Sequence, residues 1–226
     1  MLTDFFTKRT IKKLFCVIVA AWLAVVMCLA VNVKNRAFVD VNKNFYFLVS
    51  TSANIQASAH FVEWNGGAGY LLKTDETEYV VYAVYLHSND GEMAQASLVD
   101  EKSRILSYSV GKVYLHDRKL KGHIEQIKGA FESFYGCLLV LEEGINNLAH
   151  NGTQEEIKRV LQILNKQFDF LALSYRKIWP QYAEVCKNGS NEISNILNET
   201  IFLKDLRFIL CQLCVGYIDF SKDLRI

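Results

Sequence analysis

Residues 78–86 read EYVVYAVYL, a run dominated by aromatic and β-branched side chains. Such a composition predicts a β-strand, because these side chains pack well on a pleated surface. Residues 44–50, NFYFLVS, have the same character and predict an earlier strand. Two more strands are predicted at 70–72 and 103–110, and residues 113–115 either extend the last strand or lie in the connection after it.

Helical segments separate these strands. Thr51 or Ser52 can cap a first helix, and Ser88 can cap a second helix that runs to Leu98. Apolar residues fall on or beside one face of the first helix: Ile55, Ala59, Val62, Phe61 and Trp64. The order over residues 40–115 is therefore β-α-β-β-α-β, which builds a ferredoxin-like α+β module with both helices on one face of a four-stranded sheet.

The region 117–226 has the heptad spacing of packed helices. One seam runs from Leu120 to Leu148, and a second, opened by a capping box at Thr153, runs from Ile157 to Val185 with a kink at Pro180. Asn188-Gly189 should end that helix and Ser190 should cap the third. We expect an antiparallel three-helix bundle, although such seams can close within one chain or between chains.

The segment 14–33, LFCVIVAAWLAVVMCLAVNV, contains no charged residue, proline or glycine. Its length suits one helix crossing a hydrocarbon core of roughly 30 Å, so we interpret it as a membrane anchor. The basic tail 1–13 favours a cytoplasmic N-terminus and an extracytoplasmic remainder. The alternatives are a cleaved signal peptide, which would be shorter and end in small residues, and a buried core helix.

The composition and motifs exclude several functions. The net charge of +1 gives no electrostatic footprint for nucleic acid. The glycine-rich run 66–69 precedes a strand, so it predicts a tight turn and not a phosphate-binding loop. No catalytic motif, metal-ligand spacing or cofactor fingerprint occurs in the sequence. Four cysteines lie beyond the anchor, and whether they form disulfides stays open: Cys137, Cys186, Cys211 and Cys214. Cys211 and Cys214 have CxxC spacing but lie in an apolar helical run, so we interpret these two as buried structural thiols.

The module at 40–115 resembles the SPOR (sporulation-related repeat) family. The resemblance is carried by residues 45–50, 57–62, 67–70, 79–86 and 90–98, together with the single N-terminal anchor. It implies non-catalytic binding of peptidoglycan glycan, in sporulation or cell division, through the open face of the sheet. The chain departs from the family pattern at Leu48, where the family often has Gln, and at Ser50 and Val84, where glycine is common.

Strand alternation assigns side chains to the two sheet faces. We expect Phe47, Val49, Val81 and Ala83 to point toward the helices of the module. The candidate glycan-binding residues on the open face are then Tyr46, Leu48, Val80, Tyr82 and Val84. The alternative is that the apolar open face is covered by another chain or by the helical region, in which case the protein is a membrane-anchored assembly factor whose bundle binds protein partners.

Overall fold

The computed structural model describes residues 37–98, 102–115 and 118–224. The predicted order of strands and helices in the first module is confirmed. Its elements are β1 (Phe38–Ser50), α1 (Ile55–Trp64), β2 (Tyr70–Lys73), β3 (Glu78–Tyr85), α2 (Ser88–Ser97) and β4 (Arg104–Tyr114). The predicted tail 1–13 and anchor 14–33 lie outside the described residues.

The four strands form one antiparallel sheet in the order β2-β3-β1-β4. β1 and β4 are longer than the sequence predicted, because Phe38 pairs with Tyr114 and extends the two strands as a ribbon. The register of this ribbon shifts between Asp40 and Lys43, next to Asn42 with its φ of 47°. The alternative that residues 113–115 extend the fourth strand is thus confirmed through residue 114.

A β-bulge lies in the middle of β3. Leu48 pairs with Ala83, but its neighbour Val49 pairs with Val81, so Tyr82 is an extra residue on β3. Val80 and Tyr82 both pack against Ala59 and Val62 of α1. The extra residue shifts by one position which side chains point to each face of the sheet. A single alternation of side chains between the two faces therefore cannot describe all of β3.

The second face of the sheet is covered by helices from the C-terminal region. The Phe45 ring lies 5.2 Å from the ring of Tyr217, and the Tyr70 ring lies 5.4 Å from that of Phe208. Phe47 and Val49 also have no exposed surface. The sheet is therefore a middle layer between α1 and α2 on one side and C-terminal helices on the other.

Four long helices follow the sheet, so the prediction of a three-helix bundle is wrong. A short helix α3 (Arg118–Lys121) comes first, followed by α4 (Ile124–Ala149), α5 (Gln154–Tyr175), α6 (Pro180–Leu197) and α7 (Leu203–Asp223). Pro180 does not kink one helix but starts a new one at its first position, where a missing N–H costs nothing. Gly189 and Ser190 lie inside α6 instead of ending and capping helices.

The four long helices pack as a bundle in which α4 and α6 each contact both α5 and α7. A cluster of aromatic rings fills the centre of the bundle, with the centroids of contacting rings 5.0–5.8 Å apart. The cluster consists of Phe131, Phe134, Phe168, Trp179, Tyr182, Tyr217 and Phe220. The sheet and the bundle belong to one compact unit, Phe38–Ile226. No helix among the described residues is long and apolar enough to span a bilayer.

Candidate functional site

The candidate glycan-binding residues do not lie on an open sheet face. Val80 and Tyr82 pack against α1. The Cβ atom of Tyr46 lies 3.6 Å from the point where a Cβ on Gly91 of α2 would be, so Tyr46 faces α2. Leu48 pairs with Ile105, whose Cδ1 atom approaches the same point to 3.1 Å. The predicted orientation of these residues is wrong, because they face the helices of the module.

Val84 lies on the other side of the bulge and is also buried, with 3% of its surface exposed. It pairs with Phe47, which has no exposed surface. Phe47, Val49 and Val81 were predicted to face the helices of the module and instead lie on the bundle side, the side on which Phe45 contacts Tyr217. Ala83 pairs with Leu48 and faces the helices of the module as predicted. Helices of the chain thus pack on both faces of the sheet around these residues, while the paired positions Asn44 and Ser109 of β1 and β4 stay exposed.

An open groove of about 300 Å³ lies where β1 ends beside α1. We call it the hydroxyl groove, because most of its polar lining is serine and threonine: Ser50, Thr51, Ser52, Ser58, Phe61, Val62, Val80, Tyr82 and Lys102. Two of the predicted glycan-binding residues, Val80 and Tyr82, thus contribute to it from the inner side.

The start of α1 fixes one wall of the hydroxyl groove. The N-cap of α1 is Asn54, so the prediction that Thr51 or Ser52 caps this helix is wrong. The Oδ1 atom of Asn54 accepts a hydrogen bond from the Ala57 N–H at 3.2 Å. Ser52 supports Asn54, because its hydroxyl oxygen accepts the Asn54 N–H at 3.2 Å. These local bonds hold the chain between β1 and α1 in a defined turn.

Two aromatic side chains stand at the rim of this groove and beside it. Phe61 is 67% exposed and Trp64 is 90% exposed, on the side of α1 away from its buried residues Ala59 and Val62. Positions three apart on a helix are neighbours, so both side chains project from the same side of α1, and we call them the aromatic pair. The sequence contained a signal for it: α1 carries two large aromatic residues that do not belong to its buried stripe.

The glycine-rich run after α1 is a turn, as predicted. Gly66 and Gly69 have φ angles of 80° and 62°, which favour glycine. A guanidinium N–H of Arg207 in α7 donates to the Gly66 carbonyl at 2.8 Å. The turn is thereby held against the bundle, and nothing in its geometry forms a phosphate cradle.

A second cavity, of about 500 Å³, lies between β3, α2, α4 and α7. Glu142 of α4 lines it and is 7% exposed, and its Oε1 accepts the Leu86 N–H at 2.9 Å. Burial raises the pKa of the Glu142 carboxyl, against the opposing effect of this hydrogen bond. No catalytic partner is hydrogen-bonded to Glu142 in the described part of the chain, so we interpret the bond as a tie between sheet and bundle.

The four described cysteines are free and buried, and for Cys211 and Cys214 this confirms the interpretation as buried structural thiols. Cys211 and Cys214 have no exposed surface and lie in the middle of α7, not at a helix N-terminus. Burial raises the pKa of the Cys137 thiol to about 11 and raises the pKa of the other three as well. No metal-binding cluster of acidic, histidine or cysteine residues occurs among the described residues.

Comparison of the chain with protein-family models, with curated proteins and with solved structures found no match.

Proposed function

We propose that this protein is a non-catalytic, membrane-anchored extracytoplasmic protein that binds cell-wall glycan at the aromatic pair and the hydroxyl groove, in sporulation or cell division. The observation that carries the proposal is the exposure of Phe61 and Trp64 beside a groove lined largely by serine and threonine side chains. Sugar rings present C–H faces that stack on aromatic rings and hydroxyl groups that exchange hydrogen bonds. The SPOR resemblance and the apolar segment 14–33 support the ligand class and the location.

A second candidate is a membrane-anchored assembly factor that binds proteins and no carbohydrate. It is favoured by the coverage of the second sheet face by α4 and α7, which leaves the module without the open sheet implied by the resemblance. Exposed Trp and Phe side chains are also typical anchors of protein interfaces. The two candidates therefore share the aromatic pair and differ in the ligand.

Sedimentation of the detergent-solubilised full chain with purified peptidoglycan tests the proposal. We expect binding that increases after amidases remove the stem peptides, and a loss of at least tenfold in affinity in a Phe61→Ala/Trp64→Ala variant, as for a pair of contact hot spots. The matched control is Phe170→Ala, which removes a comparably exposed ring, 64% exposed, from α5. Unchanged binding by the double variant would reject the aromatic pair, and no binding of the wild-type chain to either form of peptidoglycan would favour the assembly factor.

A further inference from the structure

α5 has two apolar faces, and only one of them is used inside the bundle. The buried face consists of Ile157, Leu161, Leu164, Phe168, Leu171 and Ala172. On the opposite side Ile163, Phe170 and Leu173 are 59%, 64% and 74% exposed. A bundle helix normally turns polar residues to the solvent, so this second face needs a separate explanation.

Cations alternate with these apolar residues along one line. Arg159, Ile163, Lys166, Phe170 and Leu173 follow each other at spacings of four, three, four and three, all of them exposed. This spacing places them on one side of the helix over about 21 Å, and we call them the α5 stripe. Lys177, in the turn after the helix, continues the spacing.

The acidic residues of α5 lie in its first turn or are paired with α6. Glu155 and Glu156 are in the first turn, where Glu156 belongs to the capping box at Thr153 and interacts electrostatically with Arg159. Asp169 pairs with Lys187 of α6 at 2.9 Å while it accepts a hydrogen bond from Ser190. Across the described ranges, neither Arg159 nor Lys166 forms a salt bridge. The stripe is thus apolar and positively charged at the same time.

We propose that the α5 stripe lies on an anionic lipid bilayer surface. Helices that rest in the interfacial plane of a membrane combine exposed Phe and Leu side chains with Lys and Arg, and the long side chains of Lys and Arg can extend from an apolar surface to the headgroups. A dry protein groove suits the stripe less well, because Lys166 at its centre would lose its hydration. At a bilayer surface the same ammonium group stays hydrated among anionic headgroups while the apolar side chains on either side enter the acyl boundary.

This inference does not depend on glycan binding and is tested by lysine footprinting. The full chain is reconstituted in nanodiscs of phosphatidylcholine alone or with phosphatidylglycerol, and acylation of each lysine is followed by mass spectrometry. We expect Lys166 to react at least threefold more slowly in the phosphatidylglycerol nanodiscs, and 0.5 M salt to remove the difference. Lys73, whose side chain is 80% exposed on β2, is the internal control and should react equally in both.

A Phe170→Ser/Leu173→Ser variant separates lipid contact from general attraction of the chain to the disc. Both side chains are largely exposed, so the thermal midpoint should stay unchanged while the protection of Lys166 disappears. Equal rates for Lys166 in the two lipid compositions would overturn the proposal and leave an acidic protein partner as the occupant. Protection that survives in the double variant would overturn it as well.

Discussion

At the scale of single residues, Glu142 connects the sheet to the bundle and should make stability depend on pH. Its carboxyl group is buried and its pKa is raised above the usual 4.5, so the folded state holds the proton more tightly than the unfolded state. This contribution to stability is complete below the unfolded pKa and is lost as the pH rises through the folded pKa. We therefore expect Glu142→Gln, whose amide oxygen can still accept the Leu86 N–H, to raise the free energy of unfolding at pH 7.5 and to flatten its decline above pH 4.5.

Urea unfolding from pH 4 to pH 7.5 measures this effect. Glu143→Gln is the matched control, because it removes the same charge from the next, exposed position of α4. If Glu142→Gln instead lowers stability at pH 7.5, the carboxylate interacts favourably in its ionised form and the burial argument fails.

Residue placement shows what alternation in the sequence could and could not predict. The strands at 44–50 and 78–86 were identified correctly, because aromatic and β-branched runs have a strong local signature. The sheet faces of Tyr46, Leu48, Val80 and Tyr82 were assigned wrongly, for two reasons. Both sides of these strands are apolar, so the pattern does not distinguish the two layers, and the bulge at Tyr82 changes the phase in mid-strand.

At the scale of elements, two glycines give opposite predictions. A Cβ on Gly136 of α4 would meet nothing within 4 Å, whereas one on Gly67 would lie 2.4 Å from Val62 Cγ1 and 3.3 Å from the Tyr82 carbonyl oxygen. Gly136→Ala should stabilise by about 0.5–1 kcal/mol, because alanine loses less backbone entropy in a helix. Gly67→Ala should destabilise by about 1–3 kcal/mol, because the short Val62 side chain and the backbone cannot give way easily.

Chemical denaturation of the two variants beside the wild-type chain checks both signs. A loss of stability in Gly136→Ala would mean that an unrecognised contact covers that side of α4. A neutral Gly67→Ala would mean that the turn between α1 and β2 adjusts more easily than its close backbone approach implies.

The heptad seams predicted the helical region but not its division into elements. The seam from Ile157 to Val185 continues across the break at residues 176–179, because Tyr175 and Tyr182 still meet inside the bundle with ring centroids 5.0 Å apart. Because the heptad spacing is unchanged on both sides of the turn, it cannot show where one helix ends and the next begins. Pro180 was the available signal, since proline is more favourable at the first position of a helix than in its interior.

At the scale of the whole molecule, the sheet shares its buried surface with the bundle. Phe45 has no exposed surface and touches Tyr135 of α4 and Tyr217 of α7, while Glu142 and Arg207 add polar bonds to Leu86 and Gly66. The sequence suggested two modules meeting near residue 116. Their common core instead indicates that the two regions unfold together, because neither can bury its apolar face alone.

Phe45→Ala tests this coupling. Truncating a fully buried phenylalanine costs about 3–5 kcal/mol, because the transfer free energy of the ring is lost and a cavity is left. We expect amide hydrogen exchange to accelerate in α7 as much as in β3, although the substitution lies in β1. Phe61→Ala, at a position 67% exposed in the same module, should change neither. If only the sheet amides exchange faster while α7 keeps its protection, the bundle is stable by itself and the contact with Phe45 is an interface between two independent folding units.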